Sequence, residues 1–238
     1  MDIARAQEIL DYWFTKDGTG DMDKWFMKSS EYDAEIKEKF GDLLKEAESG
    51  KGFGWLVSKD SFVAYIILMD QFSRHIYRGT ANAYKNDVAT ILFTHAGFEL
   101  YLDELKGYEL MFAFMPYMHS EKNIARSWEG TAWYRIMQTY GKEKEKWNGN
   151  EEEKGDETEN GNEKVENGNE KENGDETEEG NQETSKEWDI VKQMEPHVMG
   201  HRNTLERFDR FPKRNKVLGR ISTSEEIKYM DDTTSRTY

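Results

Sequence analysis

Apolar residues recur at intervals of three and four along most of the chain, which is the spacing of amphipathic helices. Ile9, Leu10 and Trp13 form the first such stripe, and Ile36 and Phe40 open the next. No segment shows the sustained alternation of apolar and polar residues that is typical of a strand. The pattern therefore predicts an all-α protein of about seven or eight helices.

Capping residues mark several of the predicted helix ends. Ser29 or Ser30 is a suitable N-cap for the second helix, and Gly50 follows it where a left-handed residue is needed. Thr223 and Glu226 have the spacing of a capping box and predict the start of the last helix. The third predicted helix begins near Lys59, the fourth covers about 86–102 and the fifth about 108–115. The sixth begins at Ser120 and ends at Gly141. A further helix follows Trp188, with a kink or restart at Pro196.

The third predicted helix is apolar in its first half and polar or charged in its second half. Residues 62–69 are all apolar except for the tyrosine hydroxyl, and Asp70, Gln71, Arg74 and Arg78 follow directly. Because residues at i, i+4 and i+8 share one helical face, we expect Asp70, Arg74 and Arg78 to lie together. A buried carboxylate needs a cationic partner, most simply Arg74. Either this pair only links helices, or Asp70 orients Arg74 and leaves Arg78 to bind an anion.

Acidic residues are concentrated in one low-complexity segment. Between Asn148 and Glu187 sixteen Asp and Glu residues stand against four Lys, so this stretch carries −12 of the formal net charge of −15. The words ENGNEK and GDETE each occur twice in it. Low apolar content with high net charge predicts disorder over about 142–186. We therefore expect one helical domain, in two parts covering 1–141 and 187–238, interrupted by this insertion.

Composition excludes several classes of function. The chain has no cysteine, which excludes disulfides and thiolate chemistry. Its mean hydropathy is −0.97, and its longest apolar run is far shorter than the roughly 20 residues that span a membrane. The first residues lack the basic and apolar regions of a signal peptide. These features predict a cytoplasmic protein without a membrane partner.

The motif His119-Ser120-Glu121 follows Pro116 and lies at the start of the sixth predicted helix. Ser120 is explained by N-capping, and Glu121 suits the positive end of a helix dipole. His119 titrates near neutral pH and can serve as acid, base or donor to an anion. The motif is thus either a helix start or part of a site.

A basic cluster lies near the C-terminus. Between His197 and Arg220 seven Lys and Arg residues stand against two acids, and the cluster includes His201, Arg214 and Asn215. Some of these bases belong to the surface of a helix. Arg214 and Asn215 either cap carbonyl groups at a helix end or face the same pocket as Arg74.

Three of these segments together are similar to a known family. DQFSRHIYRGTANAY, FMPYMHSE and HRNTLERFDRFPKRN occur in the order of the conserved motifs of the DUF924 family, which the chain resembles over nearly everything outside the acidic insertion. The resemblance implies a tetratricopeptide-like helical superhelix and no established activity. Ser73, His75 and Asp209 depart from the family pattern, which usually has Pro, Asn and Gly there.

The segments supply no recognisable metal, nucleotide or nucleophile motif, and we expect no metal and no cofactor. A nucleic-acid partner is not expected, because the basic cluster is short and the insertion would repel phosphate. Our first hypothesis is a binding protein for a small anion or an acidic peptide end. The set of predicted ligand-binding residues is Asp70, Gln71, Arg74, Arg78, His119, Ser120, His201, Arg214 and Asn215.

Two other hypotheses remain open from the sequence. The protein is an enzyme acting on an anionic metabolite, a hydrolase or transferase, with His119 as general acid or base and Glu121 or Asp70 orienting it. Alternatively it is a scaffold for protein interaction in which these residues only link helices. Convergence of the Arg and His side chains on one cavity separates the first two hypotheses from the third.

Overall fold

A computed structural model of the chain describes residues 4–15, 22–153 and 178–232. Every regular element in these ranges is helical, so the all-α prediction is confirmed. The α-helices are α1 Ala4–Trp13, α2 Met22–Phe26, α3 Ser30–Glu48, α4 Lys59–Ile66, α5 Ser73–Ile76, α6 Asp87–Tyr101, α7 Gly107–His119, α8 Asn123–Glu153, α9 Glu178–Phe208 and α10 Ser224–Asp231. A π-helical turn, Ile67–Phe72, joins α4 to α5, and short 3-10 turns cover Lys51–Trp55, Ala81–Tyr84, Leu102–Glu104 and Pro212–Arg214.

Helices α4 and α7 lie at the centre of the fold, and the other helices pack around them. Helix α1 contacts α4, α3 contacts α5 and the π turn, and α6 contacts α7. Helices α8 and α9 pack against each other and against α7, so both sides of the acidic segment contribute to one core. Aromatic rings fill its centre, with Trp25 and Phe112 at 4.7 Å between centroids. The indole N–H of Trp25 donates to the Trp13 carbonyl at 2.8 Å.

The π turn determines the direction of the polar half of the central helix, which is the continuous run of α4, the π turn and α5 over residues 59–76. Ile66 to Phe72 are all buried, including Asp70 and Gln71. A π turn inserts an extra residue into the helical repeat and rotates everything that follows. The Ser73 hydroxyl donates to the Met69 carbonyl at 2.7 Å, within the turn that joins α4 to α5.

The predicted caps of α3 and α10 are confirmed. Ser29 accepts a hydrogen bond from the backbone N–H of Tyr32, and Gly50 has φ +88° after the end of α3. Thr223 and Glu226 exchange hydrogen bonds between side chain and backbone, as a capping box requires. Local sequence was sufficient at these ends because each cap involves residues within three positions of one another.

Other predicted ends are wrong. Helix α7 continues through Pro116 to His119 instead of stopping at about Met115, and Pro116 is buried in the core. Ser120 does not begin α8, which starts at Asn123, although its hydroxyl accepts a hydrogen bond from the backbone N–H of Lys122. Tertiary packing of α7 outweighs the local cost of the proline.

Helices α8 and α9 extend into the predicted insertion from both sides. Helix α8 passes Gly141 and ends at Glu153, and α9 begins at Glu178 and continues through Pro196. Of the predicted disordered segment 142–186, residues 154–177 lie outside the part of the chain that the structure describes. Disorder of that part stays a prediction.

None of the helices within the described ranges combines the length and the apolar character that crossing a membrane requires.

Candidate functional site

A buried carboxylate lies at the centre of the polar residues on the central helix. The side chain of Asp70 is fully buried, and its Oδ1 lies 3.1 Å from Nη2 of Arg74. Nδ1 of His119 lies 2.9 Å from each carboxylate oxygen. Burial alone would raise the pKa of Asp70, but Arg74 and His119 outweigh it and lower that pKa to about 2. Asp70 is therefore ionised at neutral pH, and its predicted pairing with Arg74 is confirmed.

The contact with Asp70 determines which nitrogen of the His119 ring donates a hydrogen bond. Burial lowers the pKa of His119 below its ordinary value, although the charge of Asp70 acts in the opposite direction. A neutral ring that donates from Nδ1 to the carboxylate presents Nε2 as an acceptor. A carboxylate that orients a histidine in this way is also the arrangement found in general-base catalysis.

A second carboxylate connects two arginines that are far apart in the chain. Oδ1 of Asp87 lies 3.0 Å from Nη2 of Arg74, and its Oδ2 accepts from Nη1 of Arg214 at 2.9 Å. Asp87 is the first residue of α6, whereas Arg214 ends the short turn after α9. Arg74 also donates to the carbonyl of Ala83 at 3.1 Å. These contacts bring the central helix, α6 and the C-terminal turn together.

His201 completes the polar group from α9. Its ring centroid lies 6.0 Å from that of His119 and 5.5 Å from that of Phe211. Nδ1 of His201 donates to the backbone carbonyl of His197 at 2.8 Å. Burial, with a smaller contribution from the nearby His119, lowers the pKa of His201 to about 4. His201 is therefore neutral at pH 7.

These residues surround a cavity of about 240 Å³, which we call the Arg–His cavity. Aromatic rings lie against a cation in its wall. The guanidinium carbon of Arg214 lies 4.4 Å from the ring centroid of Tyr84 and 4.5 Å from that of Phe211. Such stacking holds a guanidinium in one plane. The lining residues are Arg74, Tyr84, His119, His201, Thr204, Phe211, Pro212, Lys213, Arg214 and Tyr229.

A second cavity of about 190 Å³ shares Tyr84 and Arg214 with the Arg–His cavity. Ser120 and Glu121 belong to this second cavity and not to the first. The enzyme hypothesis suggested that Glu121 or Asp70 orients His119, and Glu121 does not. It pairs instead with Arg220 at 2.7 Å and accepts from the backbone N–H of Phe211 at 2.8 Å.

Arg78 does not reach the Arg–His cavity. It lies beyond the end of α5, which stops at Ile76, and its Nη2 donates to Asp33 Oδ1 at 2.8 Å. His75 contacts the same carboxylate, with Nδ1 at 2.8 Å. The expectation that Asp70, Arg74 and Arg78 share one face is therefore wrong for Arg78, because the π turn and the helix end rotate it toward α3.

Two other predicted ligand-binding residues support the structure around the cavity without lining it. Gln71 donates to Asp70 and to Sδ of Met115, the latter at 3.3 Å. Asn215 is buried and donates to Ser222 at 3.0 Å and to Glu226 at 3.3 Å, which ties the C-terminal turn to α10. Of the two alternatives for Arg214 and Asn215, only Arg214 faces the pocket of Arg74.

Sequence reasoning did not identify Asp87, Tyr84, Phe211 or Tyr229 as site residues. Asp87 carried one usable signal: two buried arginines need two carboxylates, and Asp70 supplies one. The aromatic residues carried none, since aromatic side chains also occur throughout the core. Among the described residues no group of three or more His, Asp or Glu side chains is arranged to hold a metal ion.

Comparison with known proteins identifies the family of the chain. A family model described as "bacterial protein of unknown function (DUF924)" matches residues 9–234. The chain belongs to the DUF924 family. Its similarity to a solved structure, of a protein of unknown function from Agrobacterium tumefaciens, covers 96% of this chain and 97% of the other, at 25% identity and a TM-score of 0.62. A search of curated proteins finds no match.

The structure explains one departure of this DUF924 chain from the family pattern. Asp209 stands where the resembling sequences usually have Gly, and it has φ +57°, a conformation that suits glycine. Aspartate is among the side chains that tolerate it. Oδ1 of Asp209 also accepts from Nη2 of Arg126 at 2.7 Å, a contact that glycine cannot make.

Proposed function

We propose that this DUF924 protein binds a small anion, or the acidic end of a peptide, in the Arg–His cavity. One observation carries the proposal: Arg74, His119, His201 and Arg214 come from four separate segments and line the same cavity. Guanidinium groups are the usual partners of carboxylate and phosphate, because their N–H groups match two acceptor oxygens.

The scaffold hypothesis accounts for part of the same geometry. The Arg74–Asp87–Arg214 contacts connect distant helices and need no ligand to do so. They do not require two imidazole rings beside an open cavity, and buried ion pairs are on average no more stabilising than apolar packing. A ligand bound by Arg74 and Arg214 in the cavity that they line gives the cluster a role beyond linking helices.

An enzyme is the second candidate, and the Asp70–His119 contact supports it. A neutral imidazole held by a buried carboxylate has the orientation that proton transfer from a substrate requires. In this role His119 Nε2 accepts the proton and Asp70 stabilises the resulting imidazolium. His119→Gln would then abolish turnover of an anionic metabolite and leave its affinity within about threefold, since the arginines that bind it remain.

The type of helical fold and the cellular location of the protein belong to the same proposal. We take the helices to form a tetratricopeptide-like superhelix, whose concave side contains the Arg–His cavity, in a cytoplasmic protein. The support for the superhelix is the pairing of successive helices, α6 with α7 and α8 with α9.

Ligand enrichment from a small-molecule cell extract tests the binding proposal. The protein is equilibrated with the extract, dialysed and denatured, and the released molecules are identified by mass spectrometry. Arg214→Ala is the test variant. Arg135→Ala is the matched control, because Arg135 is a partly exposed arginine of α8 paired with Glu99, and neither residue lines the cavity.

We expect an anion that wild type and Arg135→Ala release and Arg214→Ala does not. Circular dichroism establishes that both variants are folded. An identical set of released molecules from wild type and Arg214→Ala would contradict the proposal and leave the scaffold hypothesis.

A further inference from the structure

Two imidazole rings line the Arg–His cavity, and each donates a hydrogen bond inside the protein through the same nitrogen. Nδ1 of His119 lies 2.9 Å from both carboxylate oxygens of Asp70, and Nδ1 of His201 lies 2.8 Å from the backbone carbonyl of His197. An ionised carboxylate and a carbonyl only accept hydrogen bonds, so the hydrogen atom of each ring is on Nδ1. Burial lowers the pKa of both rings, so at pH 7 each is neutral and its Nε2 carries a lone pair.

The two Nε2 atoms are hydrogen-bond acceptors at the surface of the cavity. Within the described ranges neither atom has a hydrogen-bond partner, and neither is among the buried atoms that lack one, so both are reached by solvent. Both residues line the cavity, and the ring centroids of His119 and His201 are 6.0 Å apart. A molecule of a few carbon atoms in this space therefore meets both acceptors.

A ligand that has only an ionised carboxylate and an apolar body does not match this wall. Its oxygens fit the guanidinium groups of Arg74 and Arg214, but they repel the lone pair of a neutral imidazole. An apolar group placed against Nε2 displaces water and leaves the acceptor unpaired, which costs more than an ordinary hydrogen bond contributes. The two imidazoles therefore favour a ligand that carries hydrogen-bond donors.

We infer that the ligand of the Arg–His cavity is a hydroxylated anion, with one anionic group and two hydroxyl groups. The anionic group binds Arg214 and Arg74, and the hydroxyl groups donate to Nε2 of His119 and of His201. Hydroxyl groups supply these donors without adding a positive charge beside two guanidinium groups. This inference rests on the proposed function and specifies the chemical class of its ligand. A hydroxy carboxylate and a polyol phosphate share this chemistry.

Isothermal titration at pH 7 with three carboxylates of equal length tests the inference. Propionate, lactate and glycerate carry no, one and two hydroxyl groups. We expect the dissociation constant to fall at least about fivefold with each hydroxyl group, because one hydrogen bond contributes about that factor. Glycerol 3-phosphate, with n-propyl phosphate as its counterpart without hydroxyl groups, distinguishes the two sources of the anion. Tighter binding of glycerol 3-phosphate than of glycerate identifies a polyol phosphate, and the reverse order identifies a hydroxy acid.

Variants at two positions separate the hydroxyl contacts from the anionic contact. His201→Phe keeps an aromatic ring beside Phe211 and removes the acceptor. We expect it to reduce the preference for glycerate over propionate about fivefold and to leave propionate binding as in wild type. His201→Gln has a side-chain oxygen that accepts hydrogen bonds, so it should keep part of the preference. Arg214→Lys keeps a positive charge but loses the planar contact with two oxygens, and it should weaken all three carboxylates about tenfold alike.

His95→Phe and Arg135→Lys are the matched controls. His95 stacks on Trp128 with ring centroids 4.0 Å apart, and Arg135 pairs with Glu99. None of these four residues lines the cavity. Both controls should bind the three carboxylates as wild type does, and circular dichroism establishes that every variant is folded.

The outcomes separate the inference from the proposal beneath it. Equal binding of propionate, lactate and glycerate, weakened in Arg214→Lys, overturns the hydroxyl inference and keeps the anion site. A preference for glycerate that His201→Phe leaves unchanged does the same. If none of the five probes binds at millimolar concentration, or if Arg214→Lys changes no affinity, the inference and the proposed function both fail.

Discussion

His119 and Asp70 are 49 residues apart in the chain, and Nδ1 of the imidazole lies 2.9 Å from both oxygens of the carboxylate. The same carboxylate lies 3.1 Å from Arg74, so one buried anion supports two of the groups that line the Arg–His cavity. The arrangement of the cavity therefore depends on a residue that does not line it.

Replacing this carboxylate tests that dependence. Asp70→Asn keeps the shape of the side chain and removes the charge, which leaves Arg74 with one carboxylate instead of two. Breaking a buried ion pair from one side costs about 3 kcal/mol, so we expect a loss of unfolding free energy of this order in urea denaturation.

Asp42→Asn is the matched control for this measurement. Asp42 is exposed and pairs with Lys45 at 2.9 Å, and such surface pairs contribute less than about 1 kcal/mol. Equal losses in the two variants would show that Asp70 does not support the site.

Acid should destabilise the protein through His201. The folded protein holds the pKa of this imidazole at about 4, whereas the unfolded chain has the ordinary value near 6.5. Between these values the unfolded state binds more protons, so the free energy of unfolding falls as pH falls from 6.5 to 4. Because the ring is partly exposed, we expect a contribution on the order of 2 kcal/mol.

Comparison with His201→Gln isolates this effect from other titrating groups. Urea denaturation at several values between pH 4 and pH 7 should show a smaller acid-induced loss in the variant than in wild type. Parallel pH profiles for the two proteins would mean that His201 titrates normally in the folded state.

Sequence reasoning identified the helical class and four of the ten residues that line the Arg–His cavity, for a physical reason. Repeating apolar stripes and local caps such as Ser29 are readable over a few residues. The pairing of Asp70 with Arg74 is equally local, since four residues separate them on one helix. Arg214 was identified as a candidate for the Arg74 pocket from charge alone.

The parts that the sequence did not predict depend on tertiary structure or on an irregular turn. The π turn removes Arg78 from the expected face and leaves it with Asp33, 45 residues away. Asp87 joins the site only because α6 begins beside Arg74. Asn215 is adjacent to Arg214 in sequence, yet it points toward Glu226. No local pattern encodes these directions.

The positive φ of Asp209 gives a prediction about the fold alone. Asp209→Gly should be within about 0.5 kcal/mol of wild type, because glycine relieves the strained conformation while the exposed contact with Arg126 is lost. Asp209→Ala loses the contact and keeps the strain, so we expect it to be about 1 kcal/mol less stable than the glycine variant. Urea midpoints measure both, and a glycine variant less stable than the alanine variant would contradict this account of the turn.

The composition of the acidic segment predicts that it adds little to stability. Replacing residues 154–177 with a Gly and Ser sequence of equal length preserves the connection between α8 and α9. We expect the melting temperature to change by less than about 2 °C, since the replaced residues are too polar and charged to bury a core. A drop of about 5 °C or more would show that the segment packs on the helices.

The most direct test of the central claim is a crystal structure of the protein grown with benzoate. We predict a carboxylate in the Arg–His cavity, within hydrogen-bonding distance of Arg214. Benzoate bound only at other places, with the Arg–His cavity holding solvent alone, would contradict it.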